Sequence, residues 1–98
     1  MILHTVNKSP YADKTLLSCL KAAHVNDTLI LIEDGVYGAL KGGEYSDLVE
    51  SAGPRIVALA PDLQARGLLD KLSSSVTTVD YAGFVELTST HDKVVSWF

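Results

Sequence analysis

The sequence predicts a small doubly wound α/β domain, a parallel sheet with helices on both faces. Short runs of branched apolar residues, Leu29 to Ile32 foremost, have the length and continuity of strands covered on both sides. Segments of helical period separate these runs, and no hairpin signal joins any two of them. Strands alternating with helices build right-handed β–α–β units, and ligands in such sheets sit at the carboxyl ends of the strands.

Ile2 to Val6 is the first strand, with Ile2, His4 and Val6 on one face and Leu3 and Thr5 on the other. Asn7, Lys8, Ser9 and Pro10 break it. Ser9 suits an N-cap and Pro10 a first helical position, so a helix is expected from about Pro10 to Ala23. Leu16, Leu17, Leu20 and Ala23 share one side of it, Lys14, Ser18 and Lys21 the other, and Cys19 falls at the border. Thr28 to Leu40 organises the rest: an apolar strand, a polar turn at Glu33, Asp34 and Gly35, then helical spacing from Val36. Lys41, Gly42 and Gly43 interrupt that helix, and a second piece is expected over Tyr45 to Ser51, ended by Gly53 and Pro54.

Arg55 to Leu59 is the third strand. Pro61 and Asp62 start a short helix that Gly67 closes, with Asp62 and Arg66 spaced for an i,i+4 pair. Val76 to Val79 is the fourth strand, and Asp80 caps a last helix in which Tyr81, Phe84, Val85 and Thr88 recur at helical spacing. The chain ends VVSWF, a short extended segment or a docked tail. Trp97 and Phe98 are either a plug for the core or an interface anchor.

Composition limits what such a sheet can do. The 98 residues, 47% hydrophobic and 20% charged, suit one domain over 1–98 with a thin core, so burial against partner subunits is expected. One cysteine excludes a disulfide framework and points to a reducing compartment. No apolar run reaches membrane-spanning length and no signal pattern opens the chain, so a cytoplasmic protein off the membrane is expected. A net charge of -4 argues against direct binding of nucleic acid.

Any sulfur chemistry must use Cys19, which is either a buried structural residue or a reactive thiol. Its helical neighbours Thr15, Leu16, Ala22 and Ala23 supply no cation to lower its pKa. His4, inside a strand, reads as a core or edge histidine rather than a ligand, while His24 and His91 lie near helix ends. Asp34 and Asp62 read as turn or capping carboxylates more readily than as substrate-orienting groups. Lys8 is placed to attract an anion, but neither GxGxxG nor a P-loop follows any strand, and no metal-ligand spacing occurs. No cofactor and no metal are expected. A thiol phosphotransferase would carry its cysteine in the loop after strand one, and Cys19 lies mid-helix instead.

Five blocks, ILHTVNKSP, LLSCLK, LILIEDGVYGAL, APDLQARG and VDYAGFVELT, together resemble the DsrH/TusB family, small subunits of the DsrEFH and TusBCD sulfurtransferase complexes. The resemblance spans nearly the whole chain, final tryptophan included, and implies the DsrEFH-like fold, a flavodoxin-like three-layer arrangement. It implies a heterohexamer with DsrE/TusD-like and DsrF/TusC-like sister subunits, passing persulfide sulfur to a DsrC- or TusE-type carrier. One branch serves oxidation of stored sulfur and the other 2-thiolation of the tRNA wobble uridine. Cys19 matches the cysteine typical of DsrH, which favours oxidation. The family's established sulfur-accepting cysteine belongs to the DsrE/TusD-like chain, near the start of the helix after its third strand. Ala60, Pro61 and Asp62 stand there in this sequence, so the resemblance implies a supporting role, with Cys19 as an auxiliary relay thiol or a structural residue.

Overall fold

The computed structural model, which describes residues 1–98, turns the apolar runs into one all-parallel sheet of five strands. They are β1 (Ile2–Val6), β2 (Thr28–Leu31), β3 (Arg55–Leu59), β4 (Thr77–Val79) and β5 (Lys93–Trp97), in the order β4, β3, β2, β1, β5. Between them lie α1 (Thr15–Ala22), a 3₁₀ segment (Glu33–Ala39), α2 (Ser46–Glu50), α3 (Ala60–Ala65) and α4 (Tyr81–Thr90). From β1 to β4 the chain steps steadily toward one edge, so right-handed crossovers put α1, the 3₁₀ segment, α2 and α3 on one face. The return from β4 to β5 at the far edge puts α4 alone on the other.

Strand alternation divides the core accordingly. Val6, Leu29, Leu31, Ile56 and Ala58 meet Leu16, Cys19, Val36, Ala39, Val49 and Leu63 in a layer of 13 buried residues. On the α4 face only 4 buried residues gather, Leu3, Ile30, Val57 and Leu87, so that side is the thinner one. The doubly wound fold is as the sequence predicts, with unequal layers.

Several local readings change. The first helix begins at Thr15, not Pro10, because Ser9 and Asp13 use their capping chemistry on separate turns. The Ser9 carbonyl accepts from the amides of Ala12 and Asp13, each at 3.1 Å, while Asp13 Oδ1 accepts from the Thr15 amide at 2.9 Å and so fixes the helix start. Val36 falls inside a 3₁₀ segment rather than at the start of an α-helix. The closing signal at Gly67 holds: its φ of 68° lets its own amide reach Gln64 O at 3.1 Å and the Leu68 amide reach Leu63 O at 2.9 Å. On α4 the Asp80 cap is present, its Oδ1 accepting from the Gly83 amide at 2.8 Å. The predicted stripe is not the buried face, however. Leu87 and half-buried Phe84 face the sheet, whereas Tyr81 and Val85 are 60% and 67% exposed. The terminal VVSW, without Phe98, belongs to a true edge strand, paired with β1 from Ile2↔Lys93 to Val6↔Trp97.

Candidate functional site

The carboxyl ends of β1, β2 and β3 bring Asn7, Glu33, Asp34, Gly35, Asp62 and Arg66 to one edge of the sheet. Val6 O accepts from the Ile32 amide at 3.0 Å, and Gly35 follows so closely that a β-carbon there would stand 2.1 Å from the same oxygen. This approach holds the polar turn against β1. Glu33, at φ 50°, sits in the left-handed region that disfavours any side chain, and its amide donates to Asp62 Oδ2 at 2.6 Å. Asp62 therefore secures the turn rather than pairing with Arg66 as the sequence spacing predicts. Arg66 reaches Asp34 Oδ1 through Nε at 3.1 Å and Nη2 at 2.9 Å, and through Nη1 it donates to the Asp62 carbonyl at 3.1 Å. Asp34 is thus an ion-pair partner, not a helix cap. Asn7 Oδ1 is the buried acceptor left over, without a hydrogen-bond partner.

Cys19 is not part of that edge. It faces the larger core from α1, fully enclosed. Burial, and secondarily the charge of Asp27, push its thiol up to about 12. A buried thiol with a carboxylate rather than a cation beside it is the reverse of an activated nucleophile. Alkylation of the native chain with iodoacetamide at pH 8 is expected to run on the order of a thousand-fold slower than in denaturant, from thiolate fraction alone. Mass spectrometry after timed quenching checks this, and comparable rates in the two states would contradict the enclosed thiol.

The polar chain that sequence reading missed runs from the last residue of β5, through the middle of β1, to the residue before β2. His4 is 4% exposed, Asp27 likewise 4%, and His4 Nε2 stands 2.9 Å from Asp27 Oδ2. Trp97 Nε1 donates to His4 Nδ1 at 3.0 Å. The ordinary acidity of Asp27 is strongly enhanced: the hydrogen bond from His4 holds its carboxyl well below the usual range, and burial acts in the opposite sense. Amides of His24 and Ile2 add to the lowering, each at 3.0 Å. His4 is a core histidine, as its strand position predicts, whereas Asp27 and Trp97 become its partners only through strand register. The signal available in the sequence was a polar residue inside a covered strand, which requires a partner. His91 closes α4, with Nδ1 2.8 Å from Leu87 O and Nε2 2.9 Å from Thr28 Oγ1, and His24 is exposed. Lys8 is exposed at the end of β1.

Fold and site define a small parallel α/β protein with an enclosed, unactivated thiol and a carboxyl-end edge whose two aspartates, Asp34 and Asp62, are engaged in structure. The family model described as "DsrH like protein" matches residues 8–94. TusB of Pectobacterium parmentieri is 37% identical over 97 residues, covering 98% of this chain and 100% of the relative. TusB of Escherichia coli O81 (strain ED1a) is 34% identical over 96 residues, again covering 98% and 100%. The chain belongs to the DsrH/TusB family, which its sequence blocks resemble. Among solved structures, the ychN protein from E. coli superimposes with a TM-score of 0.84 at 20% identity, covering 97% of each chain. Protein MTH1491 from Methanobacterium thermoautotrophicum superimposes at 0.72 and 18% identity, covering 97% of this chain and 96% of that one. At those identities the two share the fold. No helix is long and apolar enough to cross a membrane.

Proposed function

We propose that this chain, one DsrH/TusB-like domain over residues 1–98, is a supporting subunit of a cytoplasmic sulfur-relay complex. It acts beside DsrE/TusD-like and DsrF/TusC-like sister chains, in a heterohexamer that passes persulfide sulfur toward a DsrC- or TusE-type carrier. Membership of the DsrH/TusB family supports the relay, and the enclosed state of Cys19 carries the supporting role. Persulfide exchange needs a thiolate within reach of the donor sulfur. The only thiol here is buried and protonated, and the start of α3 offers Ala60, Pro61 and Asp62 in place of a cysteine.

The test is to load the reconstituted complex with a persulfide donor and weigh each chain. An adduct of one sulfur on a sister chain, with transfer unchanged by Cys19→Ala, is the expected result. An adduct on Cys19 would make this chain a relay station in its own right. The destination has two readings. The cysteine typical of DsrH favours sulfur oxidation, and the relatives named TusB favour tRNA wobble-uridine 2-thiolation. Deleting the gene and measuring both tRNA 2-thiouridine and oxidation of stored sulfur separates them.

The partner-facing surface in this reading includes the outer stripe of α4. Tyr81 and Val85 lie exposed, one helical turn apart, on the thinly covered side of the sheet. Val85→Asp is expected to change stability by no more than about 0.5 kcal/mol, since the residue is 67% exposed, yet to lower co-purification of the sister chains tenfold or more, about 1.4 kcal/mol. Thermal unfolding and affinity pull-down give the two readouts. Undiminished co-purification would remove α4 from the interface.

A further inference from the structure

The hydrogen bonds around His4 run in one direction only. The Trp97 indole N–H is a donor with no acceptor capacity, and it points at His4 Nδ1 from 3.0 Å. Nδ1 must therefore present its lone pair, and the ring proton resides on Nε2, 2.9 Å from Asp27 Oδ2. Asp27 is itself fixed by the amides of Ile2 and His24. A single polar chain thus ties the edge strand, through β1, to the turn that starts β2.

We propose that this chain is a proton-sensitive latch: β5 stays docked on β1 while His4 Nδ1 is unprotonated, and a proton taken up there releases Trp97 and the strand that carries it. Two N–H groups cannot share the 3.0 Å gap, so proton and indole compete for one lone pair. The Asp27 carboxylate already faces Nε2, and an imidazolium formed there is neutralised without the ring moving. The indole is the member that must leave.

The surroundings fit a local release. The titratable group bonded to His4 is Asp27, from the turn before β2, and Asp27 in turn acts on Cys19, from α1, whose thiol responds to its charge. His24 contributes its main-chain amide, and β5 contributes Trp97. At the open end of the same two strands the Met1 ammonium meets Asp92 Oδ2 at 2.6 Å, both groups solvated. Strand β5 has a hydrogen-bonded neighbour on one side only, and of its residues Val95 and Trp97 alone are half-buried. Phe98 beyond it is 85% exposed. A segment with so little buried apolar surface opens well below the cost of global unfolding.

Trp97 is the only tryptophan, so its fluorescence and indole N–H resonance report on the latch without interference. The full chain is titrated from about pH 8 to about pH 5, the interval in which imidazoles change charge. The indole resonance is expected to leave its hydrogen-bonded position and the emission to shift to the red. Amide exchange of Val94 to Trp97, corrected for its intrinsic pH dependence, should accelerate about tenfold or more, while Leu29 to Leu31 stay protected. The ring nitrogens of His4 should titrate with the same midpoint. His4→Gln supplies an acceptor and a donor that do not titrate, and should abolish the acid step. Trp97→Phe keeps the histidine and should leave β5 in fast exchange at both ends of the titration. A stationary indole signal overturns the proposal, as does an acid step that survives in His4→Gln and so belongs to another group.

Discussion

Gly35→Ala is expected to strip the chain of a large share of its stability. The β-carbon it adds would lie 2.1 Å from Val6 O and 2.9 Å from Val6 C, both main-chain atoms that no rotamer change can move aside. Val6 is wholly buried and its carbonyl already accepts from the Ile32 amide, so relief requires β1 to part from the turn that follows β2. Such a clash with buried main chain costs about 4 kcal/mol or more, a large share of the 5 to 15 kcal/mol by which domains are typically stable. Gly42→Ala is the control: its φ of 71° disfavours a side chain, but nothing lies within 4 Å, and about 1 kcal/mol is expected. Urea denaturation followed by circular dichroism measures both. A Gly35→Ala chain within about 1 kcal/mol of the parent would mean that the turn can withdraw from β1 at little cost.

That contact also explains how much of the fold was legible. LILI and RIVAL read as strands because parallel strands covered on both faces need no alternation, and an unbroken apolar run has few other uses at that length. The closing turn at Gly67 and the cap at Asp80 were readable because each is a local device, complete within a few residues. Ser9 and Pro10 misled for the same reason. They are genuine turn formers, but Asp13 captures the Thr15 amide and starts the helix later. The tail became β5 through its pairing with a strand more than 85 residues away, which no local pattern encodes.

The site was less legible, since its partners meet through register. Arg66 has Asp62 one helical turn away, yet its guanidinium reaches across to Asp34 because the turn after β2 lies beside α3. Cys19 stood at the border of a helical wheel, and only the seating of α1 on the sheet decides that it points inward. Asp27, between an exposed turn and a strand, carries no motif. Parallel pairing of Leu3 with Thr28 brings it beneath His4.

Asp27→Ala is the second large effect expected, and it carries a pH signature. The substitution leaves three buried donors, the amides of Ile2 and His24 and the Nε2–H of His4, without their acceptor. Removing one member of a buried, hydrogen-bonded pair costs about 3 to 5 kcal/mol at neutral pH. The folded carboxyl is held well below the ordinary value by His4 first and the two amides after it, whereas in the unfolded chain it takes up a proton near pH 3.9, roughly. The stabilisation is therefore fully present above the unfolded value. It is lost as pH falls below it toward the folded value, because the unfolded state binds a proton that the folded state refuses. The parent should weaken steeply below about pH 5, and the gap between parent and Asp27→Ala should narrow over the same interval. Asp27→Asn, which cannot ionise, should likewise lack that acid limb while retaining one side-chain acceptor. Urea unfolding at neutral pH and at successive steps below about pH 5 measures the gap directly. If it stays constant down the acid limb, the carboxylate is not the group that His4 and the two amides stabilise, and the sheet draws that stability from its apolar layers alone.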